Sequence, residues 1–177
     1  MSKLLVPVAA AALCAGSVVA PVAATAAIVG PHAADCAPGS EKQAMLVHVL
    51  GLKSRTGMIR LQSYGGDPKT YFDKGAYIER IELPTPTSGS MEVCMPVPRA
   101  GTYAVSIRHD VNGSGKSDMS DGGGFSGNPS FSLMDVIFKR RPSPASVEVK
   151  VAGVTKVPVV LNYVQGGSVK PVATAER

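Results

Sequence analysis

The sequence predicts an all-β protein built as a single β-sandwich of about seven to eight short strands. Apolar and polar residues alternate over many short runs, glycine and proline signals separate these runs, and no helical period is sustained. A pattern of many short strands with turns between them is typical of sandwiches and barrels. The chain has 177 residues, a length that suits one domain.

Residues 1–26 have the pattern of a secretory signal peptide. A positive start at Lys3 precedes an apolar, alanine-rich run over residues 4–20, and Ala24-Thr25-Ala26 supplies a cleavage signal. The alternative is an uncleaved membrane anchor. Pro7 and Pro21 argue against it, because prolines weaken a membrane-spanning helix. We therefore expect an exported protein, periplasmic or extracellular, that starts near residue 27 and is not an integral membrane protein after cleavage.

An N-terminal arm, residues 27–43, lacks a clear pattern and carries Cys36. Cleavage would remove Cys14 and leave only Cys36 and Cys94. In an oxidising compartment an isolated pair most simply forms one disulfide, so we predict a Cys36–Cys94 bridge. The alternative is two free thiols.

Regular structure is expected to begin at residue 44. Residues 44–50 are apolar on both faces, residues 58–64 and 90–97 alternate, and a further strand is predicted over residues 76–83, after a helical turn within 69–75. In the strand 90–97, Cys94 lies on the face opposite Met91, Val93 and Met95. A disulfide would therefore hold the arm against the outer side of this strand.

Four more strands are predicted in the second half of the chain. Residues 102–109 alternate most regularly, with Tyr103, Val105, Ile107 and His109 on one face. Further strands are expected over residues 131–138, 147–151 and 157–163. Residues 166–177 show no periodicity and are predicted to be a flexible tail, so the sandwich domain is expected to span residues 44–165.

The loop after residues 102–109 matches the spacing of a calcium loop. Gly115 stands at position 6, where such a loop turns sharply. Oxygen ligands are expected at positions 1, 3, 5, 7, 9 and 12, from Asp110, Asn112, Ser114, the Lys116 carbonyl, Asp118 and Asp121. Ca²⁺, in a structural role, is thus the one cofactor that the sequence predicts. The alternative is a turn built from Asx and glycine chemistry without an ion.

Two segments around this loop resemble a secreted bacterial family catalogued as domain of unknown function 2141. Gly101-Thr102-Tyr103-Ala104-Val105 runs into a loop with His109-Asp110, Asn112-Gly113, Gly115-Lys116 and Asp118, and Gly124-Phe125-Ser126-Gly127-Asn128 follows. The resemblance extends more weakly from about residue 44 to 164. This sequence has Ser114 where the family usually has asparagine, and a shorter link over residues 119–123. The resemblance implies a small exported β-sandwich, similar to prealbumin-like or carboxypeptidase-regulatory-like modules, and no known activity.

Other motifs argue against nucleotide and nucleic-acid binding. Gly115-Lys116-Ser117 imitates the end of a phosphate-binding loop, but Asp110 stands where its first glycine is required. The net charge of +5 is modest, and the densest basic run, Lys139-Arg140-Arg141, is predicted to be a solvated strand end.

No catalytic residue is predicted. A hydrolase using Ser126, His109 and Asp110 is the alternative, but the region lacks the strand-helix elbow of such enzymes. His48 is predicted to be a packed strand histidine. We expect a non-enzymatic exported module that binds an envelope protein or a glycan through its loops. A further alternative is a purely structural accessory domain.

Overall fold

The computed structural model describes residues 27–172. The predicted signal peptide, the point of its cleavage and the last five residues of the predicted tail lie outside the described residues. Within residues 27–172, no helix is long and apolar enough to cross a membrane.

Two packed sheets form an all-β sandwich, as the sequence predicts. In chain order the elements are β1 (Ile28–Val29), β2 (Ala44–Leu50), β3 (Met58–Gly65), β4 (Glu79–Pro84), β5 (Met91–Pro96), β6 (Gly101–Asp110), β7 (Gly122–Phe125), α1 (Leu133–Ile137), β8 (Val149–Val151), β9 (Val154–Val160), β10 (Asn162–Gln165) and β11 (Ser168–Pro171). One sheet has the order β1-β5-β2-β9; the other has the order β11-β10-β7-β6-β3-β4, and β8 pairs with β6. Strands β2, β3, β5 and β6 match the predicted runs to within one residue at each end.

The core lies between the sheets and contains the apolar faces that alternation predicts. Met91, Val93 and Met95 of the four-stranded sheet are buried there, as are Val105 and Ile107 of the seven-stranded sheet. The period of two places every second side chain on the same face of a strand. The opposite faces of the same strands are therefore the two outer faces of the sandwich.

A disulfide closes the outer face of the four-stranded sheet. Cys36 and Cys94 are bonded, with 5.7 Å between their Cα atoms. Cys94 lies on the outer side of β5, where it forms a small buried cluster with Cys36, Ala44 and Leu46. The arm, residues 27–43, contains β1, which pairs with β5 at the edge of the sheet, and a short 3-10 turn, Ala33–Cys36, which covers the part of this face around Cys94.

The glycine tract after the predicted calcium loop forms a strand, β7, instead of continuing the loop. A Cβ atom on Gly122 would lie 2.3 Å from the Tyr163 ring, and one on Gly124 would lie 2.8 Å from Val159. Glycine is required because side chains there would overlap with β10 in the same sheet and with β9 in the facing sheet.

The prediction of a strand over residues 131–138 is wrong, because this segment contains the helix α1. Ser132 accepts a hydrogen bond from the Asp135 amide, while the Asp135 carboxylate accepts one from the Ser132 amide, which is a capping box. The helix ends in a Schellman motif, in which the Lys139 amide donates to Val136 and the Arg140 amide donates to Asp135. These local bonds override the alternation of Met134, Val136 and Phe138. The basic run 139–141 accordingly follows a helix and is not a strand end.

The remaining differences concern the strand ends. The predicted strand 157–163 is two strands, β9 and β10, in different sheets, because the chain crosses between the sheets at Leu161. Strand β4 begins only at Glu79, and β8 only at Val149. Part of the expected tail is the strand β11, which pairs with β10 from Ser168 to Pro171. The predicted helical turn is a 3-10 turn, Pro68–Thr70, capped by Asp67.

Candidate functional site

The loop of residues 110–121 begins at Asp110, which is buried at the end of β6. One oxygen of its carboxylate accepts a hydrogen bond from the Ser114 amide at 3.0 Å, and the other accepts one from the Gly115 amide at 2.8 Å. Gly115 has a φ of +73°, a conformation that glycine adopts without a steric cost. The sharp turn predicted at position 6 is therefore present, and Asp110 holds it.

The exposed side of the loop is held by Asn112 and Asp118. The Asn112 amide donates to the Asp118 carboxylate at 2.8 Å, and the Asn112 oxygen accepts from the Ser114 amide at 3.0 Å. The Ser120 hydroxyl and amide both donate to Asp118, at 2.5 and 2.8 Å. These hydrogen bonds, that of the Ser120 hydroxyl above all, lower the pKa of Asp118 to about 2.

Asp121 closes the loop from its inner side. Its carboxylate accepts hydrogen bonds from the Val111 amide at 3.2 Å and from the Asp118 amide at 3.3 Å. Burial raises the pKa of Asp121 above its ordinary value, because desolvation disfavours the charged form.

The structure thus brings the six predicted ligand residues into one hydrogen-bonded loop, but their oxygens face donors of the loop itself. The Ser114 hydroxyl, for example, donates to the Lys116 carbonyl at 3.0 Å. Within residues 27–172, no group of three or more histidine, cysteine, aspartate or glutamate side chains is spaced to hold a metal ion. The loop as described is stabilised by Asx and glycine chemistry, and calcium stays a prediction.

Arg108 connects this loop to the outer face of the seven-stranded sheet. Its guanidinium donates to Asp110 at 3.1 Å and to Ser117 at 3.2 Å. Its Nε atom is buried and has no hydrogen-bond partner among residues 27–172. Buried polar atoms are normally paired, so this unsatisfied donor is an exception that costs stability.

A cleft of about 480 Å³ lies on this face, between the loop 110–121 and the segment 131–141. We call it the outer cleft. Its apolar wall is a row of aromatic rings in which Phe72 lies 4.9 Å from Phe125, and Phe125 lies 5.2 Å from Phe131, between ring centroids. Tyr64 packs against Phe72 at 4.8 Å. The three phenylalanine rings are only partly buried.

Polar side chains line the floor and the rim of the outer cleft. The floor has amide and hydroxyl groups from three strands of the seven-stranded sheet, from Gln62, Ser106 and Asn162. The rim has carboxylates and cations, from Asp118, Asp121, Asp135, Arg108, Lys139, Arg140 and Arg141. Sequence reasoning did not find this site. The signal was the outward-facing set of β3 and β6, whose polar side chains alternate with core residues. The aromatic rings come from elsewhere, because Phe125 ends β7 and Phe72 and Phe131 lie in two loops.

The residues of the hydrolase hypothesis do not meet as a nucleophile and its base. The Ser126 side chain is fully buried; its hydroxyl donates to the Val147 carbonyl and accepts from the Val105 amide. Asn128, from the same motif, pairs with the backbone of β9 at Pro158 and Val160. The Gly-Phe-Ser-Gly-Asn segment therefore joins the two sheets.

His109 is buried in the core, and its hydrogen bonds lie inside the sandwich. Nε2 donates to the Thr56 carbonyl at 2.9 Å, so Nδ1 accepts from the Tyr163 hydroxyl at 2.6 Å. Burial lowers the pKa of His109 and raises the pKa of Tyr163 to about 12. Both groups are neutral at physiological pH, and they connect β6 to β10.

A serine–histidine contact does lie on the outer face of the four-stranded sheet, where His48 Nε2 and Ser90 Oγ are 2.8 Å apart. Within residues 27–172, no carboxylate is hydrogen-bonded to this imidazole to orient it, so the pair lacks the third member of a triad. His48 is partly buried on its strand and is paired, which agrees with its predicted structural role.

Comparison with known proteins identifies a family. The model of a family described as an uncharacterized protein conserved in bacteria (DUF2141) matches residues 47–157, from the second sandwich strand to β9. No curated protein and no solved structure matches the chain, so the likeness to prealbumin-like modules stays a prediction. The matched range contains the loop 110–121 and most of the outer cleft, and on this evidence the chain belongs to the DUF2141 family.

Proposed function

We propose that the protein is an exported, non-enzymatic binding module of the bacterial cell envelope, and that the outer cleft binds a glycan. The observation that carries the proposal is the row of Phe72, Phe125 and Phe131 beside amide and hydroxyl groups on the same face. Binding sites commonly combine an apolar wall with a few placed polar groups.

A carbohydrate suits this combination because each sugar ring has both apolar and polar parts. The C–H faces of a sugar can pack on partly exposed aromatic rings, while its hydroxyls need donors and acceptors at the edges. Gln62, Ser106 and Asn162 supply these groups.

Export is supported by two independent features. The signal-peptide pattern of residues 1–26 predicts secretion. The Cys36–Cys94 bond is of a kind that persists in oxidising compartments and is rare in the cytosol.

A structural Ca²⁺ in the loop 110–121 is a further part of the proposal. The spacing and the carboxylates of Asp110, Asp118 and Asp121 suit the ion, which would replace some of the hydrogen bonds within the loop. Its role would be to stiffen the rim of the outer cleft.

Glycan binding is tested with a matched pair of variants on one segment. Phe131 lines the outer cleft, whereas Phe138 lies outside its lining and is 60% exposed. Against a panel of envelope glycan fragments, calorimetry should show Phe131→Ala weakening the Kd at least about tenfold, the effect of losing an aromatic anchor worth about 1.4 kcal/mol or more. Phe138→Ala should bind like the wild type.

The glycan recovered after incubation should have an unchanged mass, and its cleavage would favour the hydrolase instead. If no fragment binds, or if Phe131→Ala binds as well as the wild type while melting normally, the outer cleft is not the glycan site.

A further inference from the structure

The short helix α1 presents an unusual apolar surface to solvent. The exposed fractions are 52% for Met134, 38% for Val136, 51% for Ile137 and 60% for Phe138. Scattered single apolar residues on a surface need no explanation, but a contiguous set is characteristic of an interaction site. The capping box and the Schellman motif hold these side chains outside the sandwich.

Three cations follow the apolar residues directly. Residues 131–141 contain Lys139, Arg140 and Arg141 against one carboxylate, Asp135, which leaves a net charge of +2. The Arg140 guanidinium lies 5.5 Å from the centre of the Phe138 ring, so the charge and the apolar surface are adjacent. Arg140 also contacts Asp135 at 3.5 Å, and Arg141 contacts Asp73, but these pairs are exposed and screened by salt.

Lys139 adopts a conformation that its side chain makes unfavourable. Its φ is +50°, at the position after the helix where glycine is the usual residue. A strained residue is retained where the surrounding structure imposes it, and such residues cluster at functional sites. The lysine places a charge beside Phe138 at a position where glycine would fit with less strain.

We propose that residues 133–141, which we call the docking segment, bind an anionic lipid surface. Met134, Ile137 and Phe138 enter the boundary between head groups and acyl chains, and the three cations contact lipid phosphates. Apolar side chains beside lysine and arginine are the combination by which surface-bound helices attach to anionic membranes.

A lipid surface fits this segment better than a protein partner does. Stable protein interfaces use about 20 to 30 residues on each side, whereas this patch has four apolar side chains and three cations. The three cations favour an anionic occupant over a second copy of this surface, which would oppose like charges. Because Val136 and the cations also line the outer cleft, docking would bring the mouth of the cleft to the membrane. The proposal does not depend on glycan binding.

Vesicle sedimentation tests the proposal, with protein purified from the exported fraction and its intact mass measured first. Vesicles of phosphatidylcholine with phosphatidylglycerol should bind the protein, those of phosphatidylcholine alone should bind it about tenfold less, and added salt should weaken the binding. All variants keep the same N-terminus, so any contribution from residues 1–26 cancels.

Two variants separate the two parts of the segment. Ile137→Ser with Phe138→Ser should reduce the partition coefficient at least about tenfold on anionic vesicles. Replacement of Lys139, Arg140 and Arg141 by glutamine should abolish the preference for anionic over neutral lipid. The matched control is Val29→Ser, on the other sheet, where an apolar side chain of 37% exposure lies outside the segment.

Equal binding to anionic and neutral vesicles, or binding that neither variant changes, overturns the proposal. So does self-association in analytical ultracentrifugation that Ile137→Ser with Phe138→Ser abolishes, because a second copy would then cover the patch. Loss of glycan binding by Phe131→Ala leaves these results unchanged, so the two proposals fail separately.

Discussion

The two outer faces of the sandwich are covered in different ways. The four-stranded sheet is closed by the arm, and the Cys36–Cys94 bond sits in a small buried cluster on that side. The seven-stranded sheet is covered by loops that carry Tyr71, Phe72 and the segment 131–141, and the outer cleft remains between them.

The two covers differ in which side chains they leave exposed. A covalent bond and small apolar residues cover the region around Cys94 on the first face, while polar side chains such as His48 and Glu92 remain partly exposed elsewhere on that face. Loops packed through partly exposed rings leave hydrogen-bonding groups accessible on the second, and loops held by a rigid scaffold are where binding sites commonly occur. We therefore expect the first face to matter for stability and the second for binding.

The largest expected effect on stability comes from removing the disulfide on the four-stranded sheet. Cys36→Ala with Cys94→Ala removes a bridge across 58 residues. Its contribution through the entropy of the unfolded chain is about 4 kcal/mol. Urea unfolding should show a loss of this order, while glycan binding by the surviving folded protein is retained. A loss below about 1 kcal/mol, on the other hand, would mean that apolar contacts alone hold the arm.

The next largest effect is expected from Ca²⁺ binding to the loop 110–121, at the rim of the outer cleft. An ion that binds only the folded state adds about 2.7 kcal/mol at a hundredfold excess over its dissociation constant. The melting temperature should rise with millimolar Ca²⁺ and return with chelator. Asp118→Ala should remove this response, and Glu41→Ala, an exposed carboxylate of the arm, should keep it. If the wild type does not respond, the hydrogen bonds of the loop suffice without an ion.

A pH series tests the core between the two sheets, where His109 is buried. Burial lowers the pKa of His109, so the folded protein holds this ring neutral while the unfolded chain protonates it below about pH 6.5. The free energy of unfolding should therefore fall as the pH drops from 6.5 towards the lower, folded-state pKa. Stability lost through Asp118 appears only below about pH 4, as the pH falls towards its pKa of about 2.

Chemical denaturation at several pH values measures this dependence. His109→Gln should be less stable at neutral pH but should lack the decline that starts near pH 6.5. A wild-type stability that stays flat between about pH 7 and 5 would contradict the assignment of a buried, neutral imidazole.

The smallest expected effect concerns Lys139. Lys139→Gly relieves a left-handed conformation and should raise the free energy of unfolding by about 1 kcal/mol, as judged from thermal melts. Anionic vesicle binding should weaken at the same time. Lys139→Gln keeps the strain and removes the charge, so it should weaken binding without stabilising the protein. A glycine variant that binds vesicles like the wild type would indicate that this lysine is not part of the docking segment's function.

The sequence by itself determined the sandwich, the pairing of the cysteines and the turn at Gly115. Alternation at a period of two assigns Met91, Val93 and Met95 to the core and Cys94 to the opposite face, because a strand turns successive side chains to opposite sides. The turn at Gly115 could be recognised because the hydrogen bonds that hold it join Asp110 to residues at most five positions away.

Only the tertiary structure decided the outer cleft and the position of α1. Phe72 and Phe131 meet Phe125 of β7 because their two loops fold onto the same sheet face, and no local spacing encodes the contact between Phe72 and Phe125. In residues 131–138, a strand-like alternation found no neighbouring strand, and the capping box around Ser132 and Asp135 produced a helix instead. A strand needs partners from elsewhere in the chain, whereas a capped helix turn satisfies its backbone locally, so sequence periodicity alone could not decide between them.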